Sequence, residues 1–214
     1  MNLHIEAYRL GNIIHPTAII GDNVRMGCNN IIDAYAVIDG NTIIKDNNHF
    51  FPFCSIGSEA EHKSFYGSEN KGVKIGSDNV IRESVTINAG CYRMTKLGNG
   101  IWMLRGSHAG HDAVIADNCT ISCNVIIGGH SYIGENSNLG LGSILHQFSV
   151  IGGGSMLGMG TVVTKQSKIA PFCTYVGNPA RYLKPNQIAI NKLSDSVKDS
   201  ISKEYFYQLE NNKI

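Results

Sequence analysis

Of the eight histidines in this 214-residue chain, four fall between residues 108 and 146: His108, His111, His130 and His146. An imidazole titrates near physiological pH, so its neutral form can take a proton from an attacking hydroxyl or amine. The run Ser107-His108-Ala109-Gly110-His111-Asp112-Ala113 sets a carboxylate directly after the second histidine. Such a partner decides which ring nitrogen carries the proton. A lone histidine is more often packing than chemistry, but four so closely spaced point to a site. The six cysteines offer less. No CxxC pair occurs, and the nearest two, Cys119 and Cys123, are four residues apart. Neither a disulfide framework nor a thiolate metal site is indicated.

A six-residue period carries these histidines. Every sixth residue from Ile14 to Ile56 is apolar; the register resumes at Ile75, Ile81 and Ile87, then runs unbroken from Leu97 to Tyr175. With about half of residues apolar, so long a final run would arise by chance less than about once in ten thousand. Neither the helical period nor strand alternation singles out every sixth position. The pattern reads as an all-β solenoid, a parallel β-helix in which each hexapeptide supplies one short strand and one turn. The residue four after the anchor is small in most units, among them Ala36, Cys54, Ser107, Cys119 and Ser137. Cys54, Cys91, Cys119 and Cys173 therefore read as packed, reduced thiols on a second inward row. Glycine follows many anchors, as at Gly98 and Gly128, where a turn with positive φ would favour it.

Three hexapeptides make a coil, so the chain returns to the same place about every 18 residues. Gly129 then stacks on His111 and brings His130 beside it, while His146 falls one residue short of the next stacked position. His111 lies off the inward row. Insertions near 58–73 (SEAEHKSFYGSENKG within it) and 88–96 (NAGCYRMTK) interrupt the period; insertions in a solenoid become loops on one face, often the binding face. From Pro185 onward Ile190, Leu193, Val197, Ile201, Tyr205 and Leu209 recur at three or four residues, with Ser194 or Asp195 as N-cap. This reads as a helix whose apolar stripe packs on the rest. The expected division is a solenoid domain, 1–184, and a helical segment, 185–214. Lys and Arg number 18 against 17 Asp and Glu, which gives no electrostatic footprint for nucleic acid. No apolar run approaches the ~18 residues of a membrane span, and MNLHIEAYRLG lacks the features of a leader. A cytoplasmic protein without integral membrane contact is expected.

The strings IIHPTAIIGDNV, IRESVTIN, HAGHDAVI and LHQFSVIG, followed by the VGN turn, resemble the UDP-N-acetylglucosamine acyltransferases of lipid A synthesis over roughly residues 12–193. The resemblance implies a left-handed coil, a homotrimer with sites between adjacent subunits, and acyl transfer from a thioester to a nucleotide-linked sugar. It implies His111 as general base, with Asp112 beside it. It sets His108, His130, His146 and Gln147 around acyl donor and sugar, and Asn186 and Lys192 near the nucleotide. Gly129 and Met159 fall along the acyl chain, where the larger Met159 shortens the groove; the backbone amide of Gly128 or Gly129 would meet the oxyanion.

The chain departs from the family at three places. His62 stands where a family aspartate holds the sugar, and Asn88 replaces a histidine. The turn Val176-Gly177-Asn178-Pro179-Ala180-Arg181 is commoner in relatives that use acetyl-coenzyme A. Two donors follow, acyl carrier protein or coenzyme A as co-substrate, with no bound cofactor and no metal. The alternative is a coenzyme A-dependent N-acyltransferase on an amino sugar for surface polysaccharide. A distant alternative resembles the γ-class carbonic anhydrases, with histidines holding zinc at a trimer interface.

Overall fold

The computed structural model describes residues 10–165 and 167–212; segment 1–9, part of the stretch read as lacking a leader, lies outside the described residues. Short strands, mostly of two residues, form three sheets of ten, eight and seven strands in which neighbours, the terminal hairpin excepted, are one coil apart. We call these the first face (beginning at Ile13–Ile14), the second (Ile19–Ile20) and the third (Arg25–Met26). The chain visits them in turn as a left-handed parallel β-helix of triangular section. Register follows the 18-residue coil, as in Ile126 against Ile144 and Val114 against Tyr132. Anchors such as Ile38, Ile56, Ile87 and Ile127 are fully buried in one column, each burial stabilising by about 1.5–3 kcal/mol.

Two corrections concern the turns. Gly57 apart (φ 84°), the glycines after the anchors are not there for positive φ. Left-handed φ falls two residues later, at Asp112 (60°), Asn118 (58°), His130 (60°) and Phe148 (63°) among others. The glycines instead permit close stacking: a Cβ on Gly140 would lie 2.5 Å from Leu157 O, and one on Gly128 2.6 Å from Gln147 N, both in the next coil. The second inward row is also less uniform than expected. At the corner between third and first faces it carries the buried asparagines Asn30, Asn48 and Asn79. Asn30 Oδ1 accepts from Asn48 N and Nδ2 (both 3.0 Å), and Asn48 Oδ1 from Asn79 N (3.0 Å) and Nδ2 (2.9 Å). Asn12 Oδ1 begins the ladder, accepting from Asn30 N at 2.7 Å, and Ile101 N closes it on Asn79 Oδ1 at 2.8 Å. Each carbonyl that would be orphaned in the core is thereby paired.

The solenoid ends in an antiparallel hairpin that periodicity did not foretell, Cys173–Val176 against Arg181–Pro185. Helices at Gln187–Lys192 and Asp195–Asn211 follow. Ser194 caps the second by position, without a side-chain bond to the helix backbone. The expected stripe packs: Tyr205 joins Tyr132 and Val150 of the third face, with Leu209 and Val114 against them, and Ile201 is buried. Among the described residues no helix is long and apolar enough to cross a membrane.

Candidate active site

Both insertions leave the solenoid at one corner, between second and third faces: Ser55–Ser58 leads across the first to Val73–Ile75, and Thr86–Asn88 across the second to Thr95–Leu97. His111 occupies that corner one coil further on, between His108–Ala109 and Val114–Ile115. The loops therefore fold over it. His111 is 6% exposed and Asp112 fully buried. Asp112 Oδ2 lies 2.8 Å from His111 Nδ1. A carboxylate only accepts, so Nδ1 carries the proton and Nε2 is left as the basic nitrogen.

The second insertion holds the carboxylate. Asp112 Oδ2 accepts from Cys91 N (3.0 Å), and Oδ1 from Tyr92 N (2.9 Å) and Arg93 N (2.7 Å). Burial alone would raise this carboxyl's pKa. The bonds from His111 and the three amides outweigh it and hold the pKa below the ordinary carboxylate value. The guanidinium of Arg93 ties the corner further, donating through Nε to Asp112 O (3.0 Å) and through Nη2 to Asn212 Oδ1 (3.0 Å). Asn212, just past the second helix, donates to His130 O at 2.7 Å.

Around this dyad stands a cage of rings. His130 meets His111 edge-on at 5.0 Å between centroids, and His62 also meets it edge-on at 5.5 Å. Phe148 stacks on His130 at 4.4 Å, and Phe65 and Tyr92 close the outer rim. Burial is the main cause lowering the pKa of His130, as of His108. Gly129 sits against His111, where a Cβ would come within 2.8 Å of Nε2. Only glycine leaves that nitrogen room.

The structure regroups the residues singled out from sequence. His111, Asp112, Gly129, His130 and His62 converge. The half-buried His108 points its Nδ1 at Thr86 Oγ1, 2.8 Å away. His146 is exposed, with Nδ1 donating to Gln147 O at 2.8 Å, and it lines a cavity with Gln147 beyond Phe148. Asn88 is 3% exposed and donates to Glu59 O at 2.8 Å; it anchors the first insertion from beneath. Gly128 N–H donates to Leu145 O at 3.1 Å. Gly129 N–H meets no acceptor among the described residues and remains available. Met159 is 76% exposed at the corner between first and second faces; it does not fill space between coils. Asn186 donates to Gly154 O at 2.8 Å at the third–first corner, and Lys192 is exposed nearby in sequence. Within one chain neither shares a contact with His111.

Sequence reasoning missed the Cys91–Arg93 amides, Phe65, Phe148 and Asn212. Phe148 was findable, one coil after His130; Asn212 carried no periodic signal. Cys91 Sγ, His111 and Asp112 have ligand atoms within 4.8 Å of one another. Yet His111 and Asp112 already satisfy each other, and the carboxylate serves three amides, so the group is a hydrogen-bonded dyad rather than an open ligand set.

The histidine shifts have a consequence for stability. A folded pKa below the unfolded value means that the unfolded chain binds more protons as pH falls, so stability is lost on acidification. For His130 and His108 this loss sets in as pH drops through about 6.5, their ordinary value. The melting temperature should fall between pH 7 and pH 5, and fall less in His130→Gln. A parallel fall in that variant would assign the effect elsewhere.

No protein-family model matches the chain. A curated acyl-[acyl-carrier-protein]–UDP-N-acetylglucosamine O-acyltransferase of Saccharophagus degradans is 33% identical over 114 residues, covering 52% of this chain and 44% of the relative. The solved UDP-N-acetylglucosamine acyltransferase of Bacteroides fragilis is 30% identical, superposes with a TM-score of 0.66 and is matched over 91% of this chain and 82% of its own. The chain belongs to the UDP-N-acetylglucosamine acyltransferase family. A member from Campylobacter jejuni superposes with a TM-score of 0.73 at 26% identity, over 90% of this chain and 81% of that one. Family membership and the histidine–aspartate dyad are thus independent observations, one from the whole chain and one from a single corner.

Proposed function

We propose that the protein transfers an acyl group from a thioester, carried by acyl carrier protein or coenzyme A, to a hydroxyl of a nucleotide-linked sugar. The observation that carries this reading is the His111–Asp112 pair, with Nδ1 locked by the carboxylate and Nε2 directed past Gly129. The acceptor hydroxyl attacks the thioester carbonyl while Nε2 takes its proton. The carbonyl oxygen becomes an oxyanion, for which Gly129 N–H is the free donor at hand. Collapse breaks the C–S bond, and the departing thiolate recovers the proton from His111, so ester and thiol form with the base restored. No acyl-enzyme is required. Burial pushes the Cys91 thiol up to about 11, so it stays protonated and a poor nucleophile.

The ring cage selects what approaches: His62 and Phe65 belong to the first insertion and stand where an acceptor enters. A thiol-release screen crossing acyl donors with nucleotide sugars tests the reading. Hydroxylamine cleaves an ester product and spares an amide, which separates O- from N-acylation. Absence of thiol release with every donor would overturn the proposal.

The same reading makes the protein a cytoplasmic homotrimer with its nucleotide contacts, Asn186 and Lys192, supplied across subunits. Ile126 and Ile144 stand 40% and 47% exposed on the second face beside His108, a surface that self-association would cover. Light scattering should give three times 23.2 kDa; a monomer excludes a shared site.

A further inference from the structure

Away from the catalytic corner, a second group of ionisable side chains gathers where the second helix lies on the third face. Asn136 N donates to Asp117 O at 2.9 Å and Gly154 N to Glu135 O at 2.8 Å. Asp117, Glu135 and Gly153 therefore stack in one column, about 4.8 Å per coil. Gly153 seats the helix, since a Cβ there would come within 2.9 Å of Ile201. Beside that contact a cavity of about 260 Å³ opens between face and helix, lined by Asp117, Glu135, Tyr132, Ile201, Glu204 and Tyr205, among others. The lining holds three carboxylates and no lysine, arginine or histidine. Among the described residues none of the three is in an ion pair. Asp117 accepts from Asn99 N (2.8 Å) and Glu204 from Gln208 Nε2 (2.8 Å), whereas the Glu135 carboxylate has no partner among the described residues. Burial and the Asp117 charge raise the pKa of Glu135. Tyr132 is 7% exposed, and its hydroxyl likewise has no partner among the described residues. Burial raises the pKa of that hydroxyl, and the charges of Glu204 and Glu135 raise it further, which sets it on the side of the cavity those carboxylates line. A buried hydroxyl without a partner is costly, and like charges without a counter-charge repel. A bound cation would answer both.

The spacing decides which cation. A metal ion needs ligand atoms crowded on one point, and among the described residues the set that lies within 4.8 Å is Cys91, His111 and Asp112, not this one. Carboxylates spread around a cavity walled by two tyrosine rings suit separate ammonium groups on an apolar stem. Each ammonium offers three donors, and the face of a tyrosine attracts it. We propose that this cavity binds a small aliphatic diamine or triamine, its ammonium groups held by Glu135, Glu204 and the Tyr132 hydroxyl. The occupant bridges the third face and the second helix, and so fastens the segment whose Asn212 reaches His130 O. The site stands independently of the acyl-transfer reading.

Isothermal titration of the full chain with diaminobutane tests this, with butanediol as the control of equal length and calcium as the control of equal charge. Diaminobutane should bind at least about tenfold more tightly than either. Glu135→Gln/Glu204→Gln keeps the shape of both side chains, and Tyr132→Phe removes one oxygen. Each should weaken diaminobutane by at least about tenfold, the usual worth of a hydrogen bond to a charged group. Diaminobutane should also raise the melting temperature of the native protein and leave that of the double variant unmoved. Should the double variant unfold, Glu204→Gln alone, at an exposed helix position, must show the loss. Absence of binding, butanediol or calcium bound as tightly as the diamine, or an affinity unchanged in these variants overturns the site.

Discussion

Replacing His111 with alanine should lower kcat by about 10²–10⁴-fold, the usual worth of general-base assistance, while the protein still folds and associates. His111 is off the anchor column, so its removal leaves the stacked isoleucines untouched, and Asp112 keeps its three backbone amides. No neighbour substitutes. His62 meets the His111 ring only edge-on, and His130 turns its Nε2 toward Asp112 Oδ2, 3.7 Å away, the oxygen that His111 already bonds. Retention of more than about a tenth of native activity by the purified variant, set against that scale, would remove His111 from the role.

Asp112→Asn should be nearly as damaging, for a different reason. Asparagine tolerates the positive φ of 60° at this position, so the turn survives. The amide can keep one oxygen on Tyr92 N and Arg93 N, but its NH2 then faces His111 Nδ1 and donates where the carboxylate accepted. That stabilises the tautomer protonated on Nε2, the nitrogen to which the proposed mechanism gives the acceptor's proton. The expected loss is again about 10²–10⁴-fold in kcat, with donor and acceptor KM little changed. Nitrogen-resolved NMR of His111 should report the tautomer directly; an unprotonated Nε2 in the variant would defeat this account.

How far the molecule was legible before its structure depends on which interactions repeat. The apolar anchors recur because each coil must bury the same column, so Ile127 or Leu157 announces itself by arithmetic. The same arithmetic set Gly129 over His111 and His130 beside it. It could not say what the turns require. Glycine after an anchor suggested positive φ, whereas close stacking on the next coil is what keeps Gly128 small. Handedness also lay beyond it, since crossovers between parallel strands are ordinarily right-handed; that came from resemblance. The contacts that complete the site do not repeat at all. His62 and Tyr92 sit in insertions, and Asn212 bonds to Arg93 across 119 residues of chain. Nothing local in those segments carries the pairing.

The asparagine ladder has a mechanical meaning for the first coils. An apolar column is a sum of nearly independent burials, so one weak rung costs about its own area. The amide chain from Asn12 to Asn79 is directional: the Oδ1 atoms of Asn12, Asn30 and Asn48 each take both a backbone and a side-chain donor from the coil after them, and each bond polarises the next. Exchange of Asn48 for alanine would leave Asn30 Oδ1 with the backbone N–H of residue 48 alone and take the shared acceptor from Asn79 N and Nδ2 together. These coils are therefore welded into one block that opens as a unit, and both insertions covering His111 spring from its upper end or just beyond, on ground that cannot fray a rung at a time.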